Sequence, residues 1–461
     1  MQDQDLYANW PEKLVPGEGP RYRQIADFIE RAVAQKRLQA GDRLPPQRGL
    51  AQRLGVDLTT VTRAYAEAGL RGLLDPRGAQ GTFIARPAQQ SVQLIDLGMN
   101  MPPAPLGCDL QELVQRGLAK VMDRHDMNVM MAYHLAGGGP DAREAGAQWL
   151  AQAMGPVDPD LVLVCPGAQA ALAALILAYS VPGDSIVAEP MVYPGLLSAA
   201  RHLGRKVLAA EADGDGMTPA GLERACRESG SRLVYLNPTL QNPTTHTMSA
   251  QRRRDLLRSA VACGARVIED DPYRLFLDDA PPTLASHAPA SVFHLATLAK
   301  CLTPGLRTAF VLCPDEDSRE RVLAAMRSFA LMAAPLMGAL TTQWITGGSA
   351  QAVLNGVRAE AQARQRIARQ VLPGPFGSEA AGIHLWQVLP DPWTAADLAR
   401  AAREEGLSVA SSDVFQAGAA APNAIRISLG GVKDREELAQ ALAKLAELMR
   451  RRPYAPRDPI V

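Results

Sequence analysis

The 461-residue sequence reads as a multidomain chain. A small α+β unit, built on a helix-turn-helix and a following hairpin, precedes an α/β domain that carries a smaller α+β subdomain. Three features carry this reading. Excess basic charge is confined to residues 20–86, short apolar strands alternate with helices from about 160 to 315, and residues 345–450 run helix, strand, helix, strand, helix. The expected boundaries are 1–86 for the first domain, 87–94 for a Pro-led linker, 95–450 for the second domain and 451–461 for a tail.

Charge and composition narrow the function classes. The 48 basic and 48 acidic residues cancel, but residues 20–86 hold twelve basic against six acidic side chains. That segment is therefore +6 and the remainder −6, which marks a basic binding module joined to something else. A hydrophobic content of 47% excludes wholesale disorder. No apolar run free of charge or Pro is long enough for a membrane span, and the polar start lacks the layout of a signal peptide. The six cysteines are scattered without a CxxC pair, so a reducing, cytoplasmic setting is expected. The seven histidines show no ligand spacing, and no metal is assigned.

Ile25, Phe28, Ile29, Ala32 and Val33 recur at helical spacing. Gly41 and Pro45-Pro46 interrupt, a short helix fits Arg48 to Leu54, and Gly55 ends it. Asp57 is a suitable N-cap for a third helix with Leu58, Val61, Ala64, Tyr65 and Ala68 inward. Its other face presents Thr59, Thr60, Thr62 and Arg63. "LLDPRGAQGTFI" then reads as strand, Gly-rich turn and strand, with Arg77 near the tip. Short polar side chains and Arg on an exposed helix suit base edges and phosphates of a DNA groove. In this order, the stretch resembles the winged-helix domain of the GntR family of bacterial transcription regulators. The resemblance implies DNA contacts at Arg48, Thr59, Thr60, Thr62, Arg63 and the wing residues Arg77 and Gly78.

In the larger part, "DLVLVC", "SIVAE", "RKVLAA", "RLVYLN", "RVIED" and "TAFVLC" read as buried strands of a mostly parallel sheet. Seven lysines stand against 41 arginines, and Lys300 lies among apolar and small residues in "FHLATLAKC". Arginine cannot lose its proton, whereas a desolvated lysine can attack an aldehyde. Alone, Lys300 is more simply a surface lysine with a buried stem. Its neighbours alter the balance. "GAQAAL" opens a helix after a strand, as an anion site does. Thr297 and Arg307 flank Lys300. Asp270 ends a strand and can meet a protonated ring nitrogen. Tyr273 and Asn242 can meet a ring oxygen, and Tyr193 can stack on a ring.

Together these motifs resemble the fold-type I aminotransferases, which use pyridoxal 5′-phosphate. The resemblance implies that Lys300 forms the internal aldimine, Asp270 holds the pyridinium N–H, and Asn242 and Tyr273 bond the phenolic oxygen. It further implies that Tyr193 stacks on the ring and that Ala168, Gln169, Thr297 and Arg307 hold the phosphate. Tyr133 corresponds to a residue reaching the partner subunit's phosphate, and Arg426 in "AIRISLG" to the clamp on a substrate α-carboxylate. The stretch "YHLAGGGPDAR" departs from the family in its three glycines and in Ala142, as does Thr297 in place of serine.

The order of the two parts resembles the MocR subfamily of regulators. That implies a homodimer, a double-stranded DNA operator, and an amino acid, amine or B6 vitamer as effector, with no membrane partner. An active aminotransferase with a secondary DNA-binding domain is the alternative. A repressor whose large domain only dimerises is a third reading.

Overall fold

The computed structural model describes Trp10, Leu14 and residues 19–35, 37–76, 81–85, 94–376, 381–418 and 421–451. The chain divides into two compact units, Met1–Leu94 and Ile95–Val461. Among the described residues no helix is long and apolar enough to cross a membrane.

In the first unit, α1 (Arg21–Ala34) buries Ile25, Ala26, Ile29 and Ala32, a single stripe at helical spacing. Pro46 stands at the N-cap of α2 (Gln47–Leu54), and Gly55 at φ 62° closes it in the left-handed region. The turn leads into α3 (Leu58–Leu70), where Val61, Ala64, Tyr65 and Ala68 are buried as expected. Two details differ from the sequence reading. Asp57 is at the N-cap, but its side chain makes no cap bond. Leu58 is 40% exposed, because the first turn of α3 projects beyond the core. Strands β1 (Leu74–Pro76) and β2 (Thr82–Ile84) pair antiparallel, Leu74 opposite Ile84. The segment before α2 adds to them through Leu44 N–H to Thr82 O at 2.8 Å and Ile84 N–H to Asp42 O at 2.8 Å. Arg77 and Gly78 lie outside the described residues.

The second unit is built on seven strands: β3 (Val162–Cys165), β4 (Ser185–Ala188), β5 (Lys206–Ala209), β6 (Leu233–Leu236), β7 (Arg266–Asp270), β8 (Val292–Thr297) and β9 (Ala309–Leu312). Their order is β3-β9-β8-β7-β6-β4-β5, and only β9 runs antiparallel to its neighbours. The sequence reading lacked β8. "VFHLAT" continues into Leu298 and Lys300 without a Gly or Pro break, so the stretch offered no punctuation. Helix α4 (Ala168–Tyr179) is apolar almost all round and is buried against the sheet.

The smaller subdomain holds β10 (His384–Val388), β11 (Ala410–Ser411) and β12 (Ala424–Ser428) in an antiparallel sheet, order β10-β12-β11. Helix α5 (Ser349–Val371) leads into it. Arg364 on α5 is buried and donates to Leu429 O at 2.8 Å, Val432 O at 2.7 Å and Glu360 at 2.7 Å. These bonds fasten the loop after β12. That loop bears on the start of the unit: Gly431 lies against Asp96 O and Gly430 flat on Met101, while the strand Ile95–Asp96 itself pairs with Leu407–Ser408. A Cβ on Gly430 would stand 1.8 Å from Met101 O, so no side chain fits without backbone movement. Gly430→Ala should therefore cost about 1–3 kcal/mol and lower the thermal midpoint by about 2–6 °C, measurable by differential scanning calorimetry. An unchanged midpoint would show that the two segments are not in close contact.

Candidate functional site

The second unit gathers polar side chains where several strands end. Gly167, just beyond β3, has φ 94° and caps α4, whose first N–H groups have no partner within the helix. The Arg307 guanidinium lies over this turn: a Cβ on Gly167 would come within 2.9 Å of its Nη2. Arg307 itself holds φ 48°, a left-handed conformation uncommon outside glycine. Thr297 is buried at the end of β8, opposite Ala309, which in turn faces Cys165. Gln169 donates to Gly195 O at 2.9 Å, while its Oε1 is buried without a partner. Ala168, Gln169, Thr297 and Arg307 thus surround a helix N-terminus with donors, an arrangement suited to a phosphate.

Asp270 ends β7 and is buried. Its Oδ2 accepts from Tyr235 Oη at 2.6 Å, and its carbonyl from Asn237 Nδ2 at 2.7 Å. Burial raises its carboxyl to about 6, against the opposing Tyr235 hydrogen bond. Asn237 Oδ1 also accepts from Asn242 N at 2.7 Å, which fixes the loop bearing Asn242. Lys300 Nζ donates to Asn100 O at 2.5 Å. Burial and the Arg426 charge lower its ammonium to about 8, although Asp270 pulls the other way. Tyr273 is buried, and burial pushes its phenol up. The Tyr193 ring passes so close over Gly195 that a Cβ there would meet it at 2.2 Å, and burial raises this phenol as well.

Arg426 comes from the middle of β12, opposite Trp386 on β10. Its Nη1 donates to Asn242 Oδ1 at 2.8 Å and its Nη2 to Gly98 O, while Nε is buried without a partner. The guanidinium sits 4.9 Å from the Phe415 ring centroid. The hydrogen-bond acceptors this buried cation meets are neutral amide oxygens, and burial lowers its proton affinity. A carboxylate is the natural partner for such a group.

Tyr133 is not drawn into this group: it is 76% exposed, and Val129, Met131 and Leu135 near it in the chain are exposed too. The glycines after it have a packing reason. Gly137 and Gly138, at φ 70° and 111°, lie against Leu163 and Val164, where a Cβ would come within 2.3 and 2.5 Å.

In the first unit, Arg48, Thr59, Thr62 and Arg63 are exposed and Thr60 is half-buried. Thr62 Oγ1 is engaged inside the protein, with Gln47 Oε1 at 2.8 Å and Leu58 O at 3.0 Å. Arg63 stacks over Tyr22 from α1, 4.1 Å from the ring centroid.

The family described as aminotransferase class I and II matches residues 92–445. The chain belongs to that family. The bacterial regulatory proteins of the gntR family match residues 21–84. An uncharacterized HTH-type transcriptional regulator of Bacillus subtilis, YdeF, is 29% identical over 96% of this chain and 97% of its own length. The vitamin B6 salvage pathway transcriptional repressor PtsJ of Salmonella typhimurium is 28% identical, over 91% of this chain and 96% of its own. Among solved structures, the α-aminoadipate aminotransferase LysN of Thermus thermophilus superposes with a TM-score of 0.70 at 24% identity, over 77% of this chain and 92% of that one. The two-part layout is that of the MocR-type regulators.

Within this aminotransferase fold, sequence reasoning had not picked out Tyr235, Asn100 or His384. Tyr235 carried a signal, since a phenol in an otherwise apolar strand requires a partner. Asn100, between Met99 and Met101, carried none. A spatial cluster also escaped the spacing argument: single atoms of Glu269, Asp271 and His294 lie within 4.8 Å of one another. Glu269, however, already accepts from Leu284 N at 2.6 Å, Ala285 N at 3.0 Å and His294 Nδ1 at 2.9 Å. We read it as a buried ion pair.

The lowered Lys300 makes a measurable statement. In cofactor-free protein, reductive methylation of Lys300 should rise with a midpoint near pH 8, well below an exposed lysine. Arg426→Gln should move that midpoint upward by removing a repelling cation. A wild-type midpoint near that of exposed lysines would contradict the geometry.

Proposed function

We propose that the protein is a pyridoxal 5′-phosphate-dependent, DNA-binding transcription regulator that senses an amino acid, amine or B6 vitamer at Lys300. The observation that carries this reading is one chain holding both a half-buried lysine beside Arg426, Asp270 and a donor-lined helix N-terminus, and a helix-turn-helix with an exposed Arg and Thr face. The orphaned Nε of buried Arg426 and the donor-lined turn at Gly167 fit the cofactor and an acid ligand. Bound there, pyridoxal 5′-phosphate supplies an aldehyde carbon open to primary amines and a ring that withdraws electrons.

This chain's residues do the rest. Ala168, Gln169, Thr297 and Arg307 bind the phosphate, and Tyr133 reaches that of the partner subunit. Asp270 holds a proton at the ring nitrogen, and Tyr235 keeps its carboxylate oriented. Asn242 and Tyr273 donate to the ring oxygen, and Tyr193 covers the ring face. Lys300, its ammonium lowered to about 8, would be partly neutral there and would be the residue that holds the aldehyde end of the cofactor. Arg426 then exchanges the Asn242 and Gly98 oxygens for the ligand's carboxylate. That exchange is the local event that would bias two arrangements of the protein.

On the DNA side, the exposed or half-exposed Arg48, Thr59, Thr60 and Arg63 face the operator, and the resemblance adds Arg77 and Gly78 as contacts. Thr62 supports this face by joining α3 to Gln47. The exposed apolar surface of Val129, Met131 and Leu135 suits a homodimer contact. Two copies would then read two half-sites in the cytoplasm. The relative named as a repressor of vitamin B6 salvage favours a B6 vitamer among the effectors. The intact Lys300, Asp270 and Arg426 set also favours a second reading, turnover as an aminotransferase.

Protein incubated with pyridoxal 5′-phosphate should show a visible absorption band that Lys300→Ala abolishes; a colourless wild type would sink the cofactor reading. Arg63→Ala should weaken binding to the protein's own upstream DNA and reduce the slope of log affinity against log salt by about one. Unchanged affinity and slope in a fluorescence anisotropy titration would remove Arg63 from the interface.

A further inference from the structure

Asn100 stands between Lys300 and the smaller subdomain. Its Nδ2 lies 2.9 Å from Tyr273 Oη and 3.2 Å from His384 Nδ1. The far side of His384 assigns the protons. Its Nε2 is 3.4 Å from Gln241 O, which can only accept, so Nε2 carries the hydrogen. Burial and the Arg426 charge hold this imidazole down at about 3, so the ring is neutral. Nδ1 is then a bare acceptor for a hydrogen of the Asn100 amide, the orientation in which Nδ2 faces both partners and Oδ1 is buried without one. Both amide hydrogens are thereby committed, one to His384 and one to the Tyr273 oxygen. The phenol's own hydrogen is left free for a third partner.

We infer that Asn100 is a positioning residue: by donating to Tyr273, it turns the phenol hydrogen toward the ring oxygen of a cofactor held at Lys300. The inference rests on the cofactor reading above. A donor at that oxygen stabilises its anionic form and eases loss of the proton from the Lys300 nitrogen conjugated with it. The charged or titratable groups acting on Tyr273 are Arg426, Asp270 and Tyr193. Those acting on Lys300 are Arg426, Asp270 and Arg307. All of them stay in place in the test.

The pH midpoint of the visible band would be compared in wild type, Asn100→Ala, Tyr273→Phe and the double variant. Each single change should raise the midpoint by about half a unit or more, and the double variant should match Tyr273→Phe alone. A wild-type midpoint in Asn100→Ala would overturn the inference, as would a shift that persists undiminished when Tyr273 is already Phe. A second measurement needs no cofactor. The ¹⁵N spectrum of cofactor-free protein should show His384 as the Nε2–H tautomer. An Nδ1–H tautomer would reverse the Asn100 amide and overturn the inference. A colourless wild type would instead strike the cofactor reading, and the tautomer would still decide how Asn100 is oriented.

Discussion

Arg426 is a guanidinium taken out of water and given neutral amide oxygens as hydrogen-bond partners. Leaving a charge in that state costs several kcal/mol relative to a paired one. The rest of the site is arranged around it. Burial, and then its field, weaken the proton affinity of Lys300 and keep His384 neutral. Asp270 partly offsets that field at Lys300. A site with such an unbalanced charge is prepared for an anion, and an α-carboxylate matches the two-pronged guanidinium.

The fold brings these groups together from distant stretches of chain. β6, β7 and β8 deliver Asn237, Asp270 and Thr297 at one end of a parallel sheet, where α/β proteins bind ligands. The smaller sheet supplies Arg426 and His384 from neighbouring strands, with His384 opposite Ser428 and Trp386 opposite Arg426. The segment after the short strand Ile95–Asp96 closes the site, lending Gly98 O to Arg426 and Asn100 O to Lys300. A ligand that claims Arg426 and Lys300 must take both away from this segment.

Much of this was legible in the sequence, for definite reasons. Helical spacing exposed the buried stripe of α1 and the polar face of α3, and the excess of arginine over lysine made Lys300 conspicuous. Asp270, Asn242 and Arg307 stood in local motifs that survive as local geometry. What escaped depends on contacts across the chain. Asn100 meets Tyr273 and His384 over separations of 173 and 284 residues, and no local pattern records such a meeting. β8 was hidden because it runs into Lys300 without a turn residue. Thr62 looked like a free hydroxyl because its bond to Gln47 crosses between helices. Asp57 occupies a capping position without capping, since position alone does not set a side-chain rotamer.

The central claim is that occupancy at Lys300 and Arg426 is coupled to DNA binding. Coupling is reciprocal, so it can be read from either side. Operator affinity should be measured by anisotropy with the cofactor present, across a panel of amino acids, amines and B6 vitamers, for wild type and Lys300→Ala. At least one effector should change the wild-type affinity by about fivefold or more, and Lys300→Ala should be insensitive to it. Equal operator affinity with and without every effector that alters the visible band would contradict the account.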